Sequence, residues 1–201
     1  MNGQSKVPPL YGLLLTGGAS RRMQQDKAAL AYRGEPQLLR AWRLLQAVTE
    51  RAFVSARDTQ RDDPLRAGLP LILDRYEAIG PAAGILSAQD EYPEAAWLVL
   101  ACDLPLLDTA TLQLLVTRRD PAVAATAFAS SHDGLPEPLC AIWEPASHGL
   151  LRQRYESGSY CPRKALMQSS ARLLPTPGAA LDNVNTPEER EAMQHRLETL
   201  A

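Results

Sequence analysis

Short apolar runs alternate with amphipathic stretches along the first 120 residues of the chain. Four of these runs are too short for buried helices, and they predict strands at residues 13–15, 51–55, 69–73 and 97–101. Strands that alternate with helices are typical of right-handed βαβ units, which assemble a mostly parallel sheet. The pattern therefore predicts an α/β fold with helices on both faces of a central sheet.

Apolar residues at helical spacing lie between the predicted strands. Pro36 is predicted to open a helix that reaches about residue 50, with Leu38, Trp42 and Leu45 on its apolar face. A second helix is predicted from the glycine-containing segment 80–84 to about residue 92. A third is predicted after Asp108, whose side chain suits the N-cap position.

The second half of the chain has a less regular pattern. Apolar runs predict strands at 122–128, 139–143 and 172–174, and helices are predicted at 145–157 and 161–169. Thr186 and Glu189 predict a capping box for a last helix that ends near residue 197. The Gly- and Pro-rich stretch 130–138 is either a loop over a binding cleft or a surface turn.

Chemically useful residues follow three of the predicted parallel strands. Gly17 and Gly18 come after the first strand, Asp74 after the third and Asp103 after the fourth. In open parallel sheets, ligands bind beyond the carboxyl ends of the strands. We therefore expect these residues to share one edge of the sheet.

The diglycine is followed by Arg21, Arg22 and Lys27. Glycines let backbone N–H groups approach an anion, and the cations add charge, so the stretch predicts a phosphate-binding loop. A tight turn with a solvated basic face is the alternative. A Walker loop is excluded because Lys27 is nine positions after Gly18, and the dinucleotide fingerprint is excluded because the third glycine is missing.

Asp103 is the best candidate for a metal ligand. A hard carboxylate suits Mg²⁺, which keeps several waters and bridges to nucleotide phosphates. The alternative is that Asp103 caps the turn at Leu104 and Pro105. Asp74, judged alone, is most simply a loop carboxylate.

Composition and charge limit the possible partners and location. The 201 residues suit one domain, predicted at 10–201 after a flexible lead-in at 1–9, and the net charge of −2 argues against a nucleic-acid partner. No apolar stretch approaches the roughly 20 residues that span a bilayer, so no membrane association is expected. The three cysteines are far apart, which predicts reduced thiols in a cytoplasmic protein and no zinc site.

Residues 15–27, LTGGASRRMQQDK, resemble the LAGGxSxRMGxDK loop of nucleotidyltransferases. Together with the CDLP segment at 102–105 and the NVNTPEE string at 183–189, they are most similar to the molybdenum cofactor guanylyltransferase family. Three departures are visible: Thr16 stands where the family usually has Ala, Gln24 where it has Gly, and Ser55 where it has Asn.

The resemblance implies a three-layer, Rossmann-like nucleotidyltransferase fold. It also implies Mg²⁺-dependent transfer of GMP from GTP to molybdopterin, with molybdenum-enzyme chaperones or other cofactor-biosynthesis proteins as possible partners. The nucleotide-binding residues it implies are Leu15, Thr16, Gly17, Gly18, Lys27, Asp74 and Asp103. Arg22, Lys27 and Asp103 would be catalytic, and Asp103 would hold the metal. Candidates for the second substrate are Arg163, Lys164, Asn183 and Asn185.

Three other functions remain open at this point. A CTP-dependent cytidylyltransferase and a sugar-phosphate nucleotidyltransferase would use the same loop and metal. A non-catalytic nucleotide-binding or chaperone-like module is favoured by Gln24 and Ser55.

Overall fold

Seven strands form the central sheet of the computed structural model, which describes residues 7–16, 27–32, 34–184 and 186–199. They are β1 (Leu10–Leu15), β4 (Arg51–Ala56), β5 (Leu71–Leu73), β6 (Ala96–Ala101), β7 (Ala125–Ala129), β8 (Pro136–Trp143) and β9 (Ala171–Leu174). Two further strands, β2 (Ala31–Tyr32) and β3 (Glu35–Pro36), pair with each other in a small antiparallel hairpin.

Six α-helices are present in the described parts of the chain. They are α1 (Gln37–Gln46), α2 (Pro81–Glu91), α3 (Thr109–Thr117), α4 (Ser147–Glu156), α5 (Pro162–Met167) and α6 (Pro187–Thr199). Short 3₁₀ turns occur at Lys27–Ala29, Asp58–Gln60, Pro64–Arg66 and Gly178–Leu181.

The order of the strands is β5-β4-β1-β6-β8-β7-β9. The strands β5, β4, β1 and β6 are mutually parallel, and β7 is parallel to β9. Only β8 runs antiparallel to its neighbours, β6 and β7, among the described strands of this sheet. The predicted mostly parallel sheet is therefore confirmed.

Helices cover both faces of the sheet, as predicted. One core cluster packs Leu14, Leu98 and other strand residues against α1 and α3. The opposite cluster packs Leu13, Val99 and their neighbours against α2, α4 and α5. The period of two along each strand sends adjacent residues to opposite faces, which explains why fully apolar strands feed two cores.

A third, smaller cluster joins the hairpin to the end of the chain. Leu30 and Tyr32 pack against Val184, Met193 and Leu197 of the terminal segment. This cluster holds α6 beside the hairpin, and the N–H of Val184 joins the same terminal segment to the turn after β6.

Several predicted boundaries are wrong by a few residues. Pro36 lies in β3 and precedes the helix, and α1 ends at Gln46, where Thr49 then folds back to donate to the carbonyl oxygen of Leu45 at 2.8 Å. The strand β8 begins at Pro136, inside the predicted linker. Trp42 is buried, as predicted.

Two predicted helix caps are confirmed. Asp108 accepts from the N–H of Thr111 at 2.8 Å, which satisfies one of the unpaired donors at the start of α3. Thr186 and Glu189 exchange side chain–backbone hydrogen bonds of 3.2 Å each, which completes the capping box of α6.

The residues before β1 are tied to the sheet at the edge opposite to Asp103. The carbonyl oxygen of Pro9 accepts from Ala96, and that of Pro8 accepts from the guanidinium of Arg119. Arg119 in turn forms an ion pair with the fully buried Glu144. The division into a lead-in at 1–9 and one domain at 10–201 stays a prediction.

None of the described helices combines the length and the apolar character that crossing a bilayer requires.

Candidate nucleotide-binding site

The end of β1 lies between the ends of β4 and β6. Leu15 is in register with Ser55 on one side and with Ala101 on the other. The N–H of Cys102 then donates to the carbonyl oxygen of Leu15 at 3.3 Å. Asp103 therefore lies one residue beyond a direct backbone contact with β1, in the turn that follows β6.

Thr16 is the last described residue before the diglycine, and its hydroxyl is held from two sides. The hydroxyl donates to the carbonyl oxygen of Ser55 at 2.9 Å and accepts from Nε of Arg66 at 3.2 Å. Both Leu15 and Thr16 are buried. Any contact between these two residues and a nucleotide would therefore involve the main chain at the point where the strand ends.

Part of the predicted phosphate-binding loop lies outside the described residues. This applies to Gly17, Gly18 and Arg22. Lys27 begins the 3₁₀ turn Lys27–Ala29, which packs beside α1. The predicted roles of these residues in binding and catalysis stay predictions.

Asp74 follows β5 and faces the end of β4. Its N–H donates to the carbonyl oxygen of Ala56 at 2.9 Å, and its Oδ1 accepts from the hydroxyl of Ser55 at 2.7 Å. Burial raises the pKa of the Asp74 carboxyl, whereas the Ser55 hydrogen bond and the charge of Arg57 lower it. The net pKa shift is upward, because desolvation of the charged form outweighs the two favourable interactions.

Asp103 is half-buried, and the segment around it is fixed by two distant parts of the chain. Its carbonyl oxygen accepts from the N–H of Val184 at 3.2 Å. The guanidinium of Arg40 on α1 donates to the carbonyl oxygens of Leu104 and Leu107. These contacts hold the turn after β6 between α1 and the segment that leads to α6.

The charge of Asp103 also acts on the hairpin. Burial raises the pKa of the Tyr32 hydroxyl, the charge of Arg190 lowers it and the charge of Asp103 raises it again. Arg190 and Asp103 therefore both lie within electrostatic reach of Tyr32. The helix α6 thus adds a cation to the surroundings of this edge.

A pocket of about 370 Å³ lies against the same terminal segment. Val184 and Met193 give it an apolar wall. Its polar lining residues are His132, Asp182, Asn183, Glu189 and Arg196. The predicted second-substrate residue Asn183 is thus one position from Val184, whose N–H bonds the backbone of Asp103. Asn185 lies outside the described residues.

The position of His132 bears on the loop that sequence reasoning left open. His132 belongs to the turn between β7 and β8, within the stretch 130–138. Since it lines the pocket, this stretch contributes to a cleft.

Arg163 and Lys164, the other second-substrate candidates, lie at the start of α5. Arg163 donates to Asp133 at 3.0 Å and to Glu137 at 2.8 Å, so its charge is already paired. Lys164 is exposed. Neither residue is among those that line the pocket, and their predicted role stays untested.

The carboxylates of this edge suit a metal shared with a ligand. Within the described ranges, no three His, Cys, Asp or Glu side chains cluster closely enough to form a metal cage. Mg²⁺ does not need one, because it binds through one or two carboxylates and completes its shell with water and phosphate oxygens. The half-buried Asp103, at the end of a strand beside β1, fits that donor set.

Sequence reasoning missed Arg66, which lies in a stretch predicted as polar loop or short helix. Its residue is only 1% exposed, and its guanidinium pairs with Asp63 and contacts Thr16. The available signal was weak: an acidic residue before a proline, with an arginine three positions after the acid. With that spacing, Asp63 can cap the short turn and also form an ion pair with Arg66.

Known proteins resemble this chain over most of its length. A family model for the MobA-like NTP transferase domain matches residues 12–173. A molybdenum cofactor biosynthesis bifunctional protein of Synechocystis is 37% identical over 183 residues, which cover 90% of this chain and 52% of that protein. The chain thus spans about half the length of this bifunctional relative.

A molybdenum cofactor guanylyltransferase of Pseudomonas fluorescens matches nearly end to end. It is 30% identical over 194 residues, which cover 94% of this chain and 95% of that protein. The fold also matches the crystal structure of molybdopterin-guanine dinucleotide biosynthesis protein A from Archaeoglobus fulgidus. That comparison has a TM-score of 0.79 at 20% identity and covers 94% of this chain and 99% of the other.

Proposed function

We propose that this chain, which belongs to the MobA-like NTP transferase family and is a nucleotidyltransferase, transfers GMP from GTP to molybdopterin. The product would be the guanine dinucleotide form of the molybdenum cofactor, and pyrophosphate would leave. The names of the relatives support the acceptor and the nucleotide.

The observation that carries the proposal is the backbone contact between Cys102 and Leu15. It joins the end of β1, just before Thr16, to the turn after β6 that contains Asp103, at the carboxyl edge of the parallel strands. A triphosphate bound at that edge would meet main-chain N–H groups from one strand end and a carboxylate-bound cation from the next.

The proposed reaction needs no nucleophilic side chain. The terminal phosphate of the acceptor is already anionic, and one of its oxygens attacks the α-phosphorus of GTP. The bond between the α-phosphorus and the bridging oxygen breaks, and pyrophosphate leaves with its electron pair. Catalysis of this kind rests on positioning and on charge stabilisation.

We assign these tasks to the residues at the strand ends. The N–H groups of Gly17 and Gly18 would donate to phosphate oxygens, and Arg22 and Lys27 would hold the charged triphosphate. Asp103 would hold Mg²⁺, which supplies charge neutralisation on the phosphates when bound. Asp74, oriented by Ser55, would accept hydrogen bonds from the nucleoside part.

The pocket beside α6 is the proposed site for the acceptor. Its apolar wall at Val184 and Met193 suits the face of a flat ring system, and Asn183 and His132 can hydrogen-bond to the ring edge. Asn185 would act from the same segment. On α5, Lys164 is the better candidate for an anion, because Arg163 is paired with Asp133 and Glu137.

The product would pass to molybdenum enzymes, directly or through cofactor-biosynthesis proteins. A cytoplasmic location for this exchange stays a prediction from the cysteine content. The three cysteines are free thiols in the structure.

A nucleotide panel tests the proposal. The protein is incubated with Mg²⁺, with either molybdopterin or a sugar phosphate as acceptor, and with each of GTP, CTP, ATP and UTP. Pyrophosphate release is measured, and nucleotide binding is measured separately by calorimetry. Release with GTP above the other three supports the proposal. Turnover with CTP alone would assign the chain to cytidylyltransferases, and turnover only with a sugar phosphate as acceptor would assign it to that class. Tight nucleotide binding without pyrophosphate release would indicate a non-catalytic module.

A further inference from the structure

We propose that Arg66 is a positioning residue for the nucleotide site. Its buried guanidinium donates a hydrogen bond to Thr16, which directly follows β1 and is the residue before the diglycine. This inference rests on the proposed function, because it assumes that the segment after Thr16 binds a nucleotide.

Arg66 occupies an unusual position for a cation. The side chain is fully buried, although it lies on a short 3₁₀ turn in a stretch rich in charged residues. Asp63 fixes the turn by accepting from the N–H of Leu65 at 2.9 Å, and its other carboxylate oxygen pairs with Arg66. A buried charge is costly unless it is paired, so the Asp63 carboxylate is what lets the arginine remain inside.

The contact with Thr16 makes this buried pair relevant to the site. The hydroxyl of Thr16 accepts from Nε of Arg66 at 3.2 Å and donates to the carbonyl oxygen of Ser55 at 2.9 Å. A hydroxyl with both roles filled has a defined rotamer and a defined hydrogen position. The residue before Gly17 is therefore fixed by its side chain as well as by the sheet.

The same chain of hydrogen bonds reaches the Asp74 carboxylate. Ser55 accepts from Thr16 with its carbonyl oxygen and donates to Asp74 with its hydroxyl at 2.7 Å. Hydrogen bonds thus link Arg66 to Thr16, Thr16 to Ser55, and Ser55 to Asp74, at the carboxyl ends of β1 and β4. A shift of Arg66 would therefore change the support of both Thr16 and the Asp74 carboxylate.

The role of Arg66 is geometric, not a contribution of net charge. Its guanidinium and the Asp63 carboxylate are in contact, so together they are neutral when seen from the edge. Sites of this kind need their contacting groups held to within about 0.5 Å by supporting hydrogen bonds. At metal sites, loss of a partner that orients a ligating side chain costs about 10- to 100-fold in metal affinity or activity, and we expect an effect of similar size here.

Arg66→Met and Thr16→Val test the inference, with Arg119→Met as a matched control. Arg119 also forms a buried ion pair, with Glu144, but it lies at the opposite edge of the sheet. The dissociation constant for GTP with Mg²⁺ is measured by calorimetry, and Tm by thermal melting. Arg66→Met and Thr16→Val are each expected to weaken GTP binding about 10-fold or more. The double variant should be no weaker than the poorer single one, because both act through one contact.

Arg119→Met should lower Tm and leave GTP affinity within about twofold of wild type, because Arg119 is remote from the edge. If Arg66→Met lowers Tm to a similar extent and binds GTP like wild type, Arg66 is only structural and the inference is wrong. If Arg66→Met does not fold, the threonine variants decide. Thr16→Ser, which keeps the hydroxyl, should restore the affinity lost in Thr16→Val, and equal affinity of these two would overturn the inference. Wild-type protein that binds no nucleotide would instead overturn the proposed function, and the inference with it.

Discussion

The hydroxyl of Ser55 donates a 2.7 Å hydrogen bond to the carboxylate of Asp74, across the ends of β4 and β5. The bond favours the ionised carboxylate, whereas burial of Asp74 opposes it. The small side chain at position 55 thereby joins the strand beside β1 to a carboxylate of the candidate site.

Removing this hydroxyl should make Asp74 harder to ionise. In Ser55→Ala, the pKa of Asp74 should rise further above its ordinary value, because burial remains and a stabilising hydrogen bond is lost. The carboxyl resonance can be followed by ¹³C NMR titration, with Asp74→Asn to assign it. Ser169→Ala is the control, since Ser169 bonds only the carbonyl oxygen of Leu166 in the described structure. An unchanged titration in Ser55→Ala would contradict the expectation.

Asp74→Asn should change how stability depends on pH. The pKa of Asp74 is higher in the folded state than its ordinary value of 3.8. Its contribution to stability is therefore full below pH 3.8 and is lost as the pH rises through the higher folded pKa. Because asparagine does not titrate, the variant should gain in free energy of unfolding relative to wild type between about pH 4 and pH 7. Urea unfolding at several pH values measures this difference, which should be constant if Asp74 is not desolvated.

Gly84, in the first turn of α2, should not accept a methyl group. A Cβ there would lie 2.4 Å from Oγ of Ser55 and 2.7 Å from Cδ2 of Leu15. Gly84→Ala should therefore destabilise the protein by about 1–3 kcal/mol and weaken nucleotide binding through Ser55.

Gly149→Ala is the matched control, because nothing lies within 4 Å of a Cβ at this position of α4. It should stabilise the protein by up to about 1 kcal/mol, since alanine is the better helix former. Chemical denaturation of both variants gives the comparison. A stable Gly84→Ala variant would show that α2 can move away from the strand ends at little cost.

The thiols should react at very different rates. Burial, together with the charge of Glu137, raises the pKa of the Cys140 thiol to about 12, and Cys102 is buried as well, whereas Cys161 is exposed. Because the thiolate is the reactive form, a disulfide reagent should label Cys161 rapidly and the other two only after unfolding. Cys161→Ser should abolish the rapid phase. A rapid phase that survives in this variant would mean that one of the buried thiols is accessible.

Most residues at the carboxyl edge of the sheet could be predicted from the sequence, because each one directly follows a recognisable apolar run. Apolar runs ended at Gly17, Asp74 and Asp103, and parallel strands bring such ends together. The strands β5, β4, β1 and β6 are parallel, which confirms that Asp74 and Asp103 share one edge. Gly17 and Gly18 lie outside the described residues, so their place at this edge stays a prediction. The resemblance to nucleotidyltransferase loops indicated the reaction, which the spacing of the residues alone did not determine.

The parts that were not predicted depend on contacts between distant segments. Val184 bonds Asp103 across 81 positions, and Arg66 bonds Thr16 across 50. Neither contact leaves a periodic pattern, and an arginine in a charged stretch normally indicates a solvated surface. The local hairpin of β2 and β3 was not predicted either, because two-residue strands are too short to show an alternation of apolar and polar residues.

The most direct test of the account is pyrophosphate release from GTP by Asp103→Asn, compared with Asp108→Asn. Each change removes one carboxylate, and the two positions are only five residues apart in the sequence. Asp108, however, is the exposed N-cap of α3, where asparagine serves equally well. With Mg²⁺ and molybdopterin present, the account predicts that Asp103→Asn loses activity on the order of 100-fold or more and that Asp108→Asn keeps it. Wild-type rates in Asp103→Asn would contradict the claim that this strand end holds the reacting phosphates.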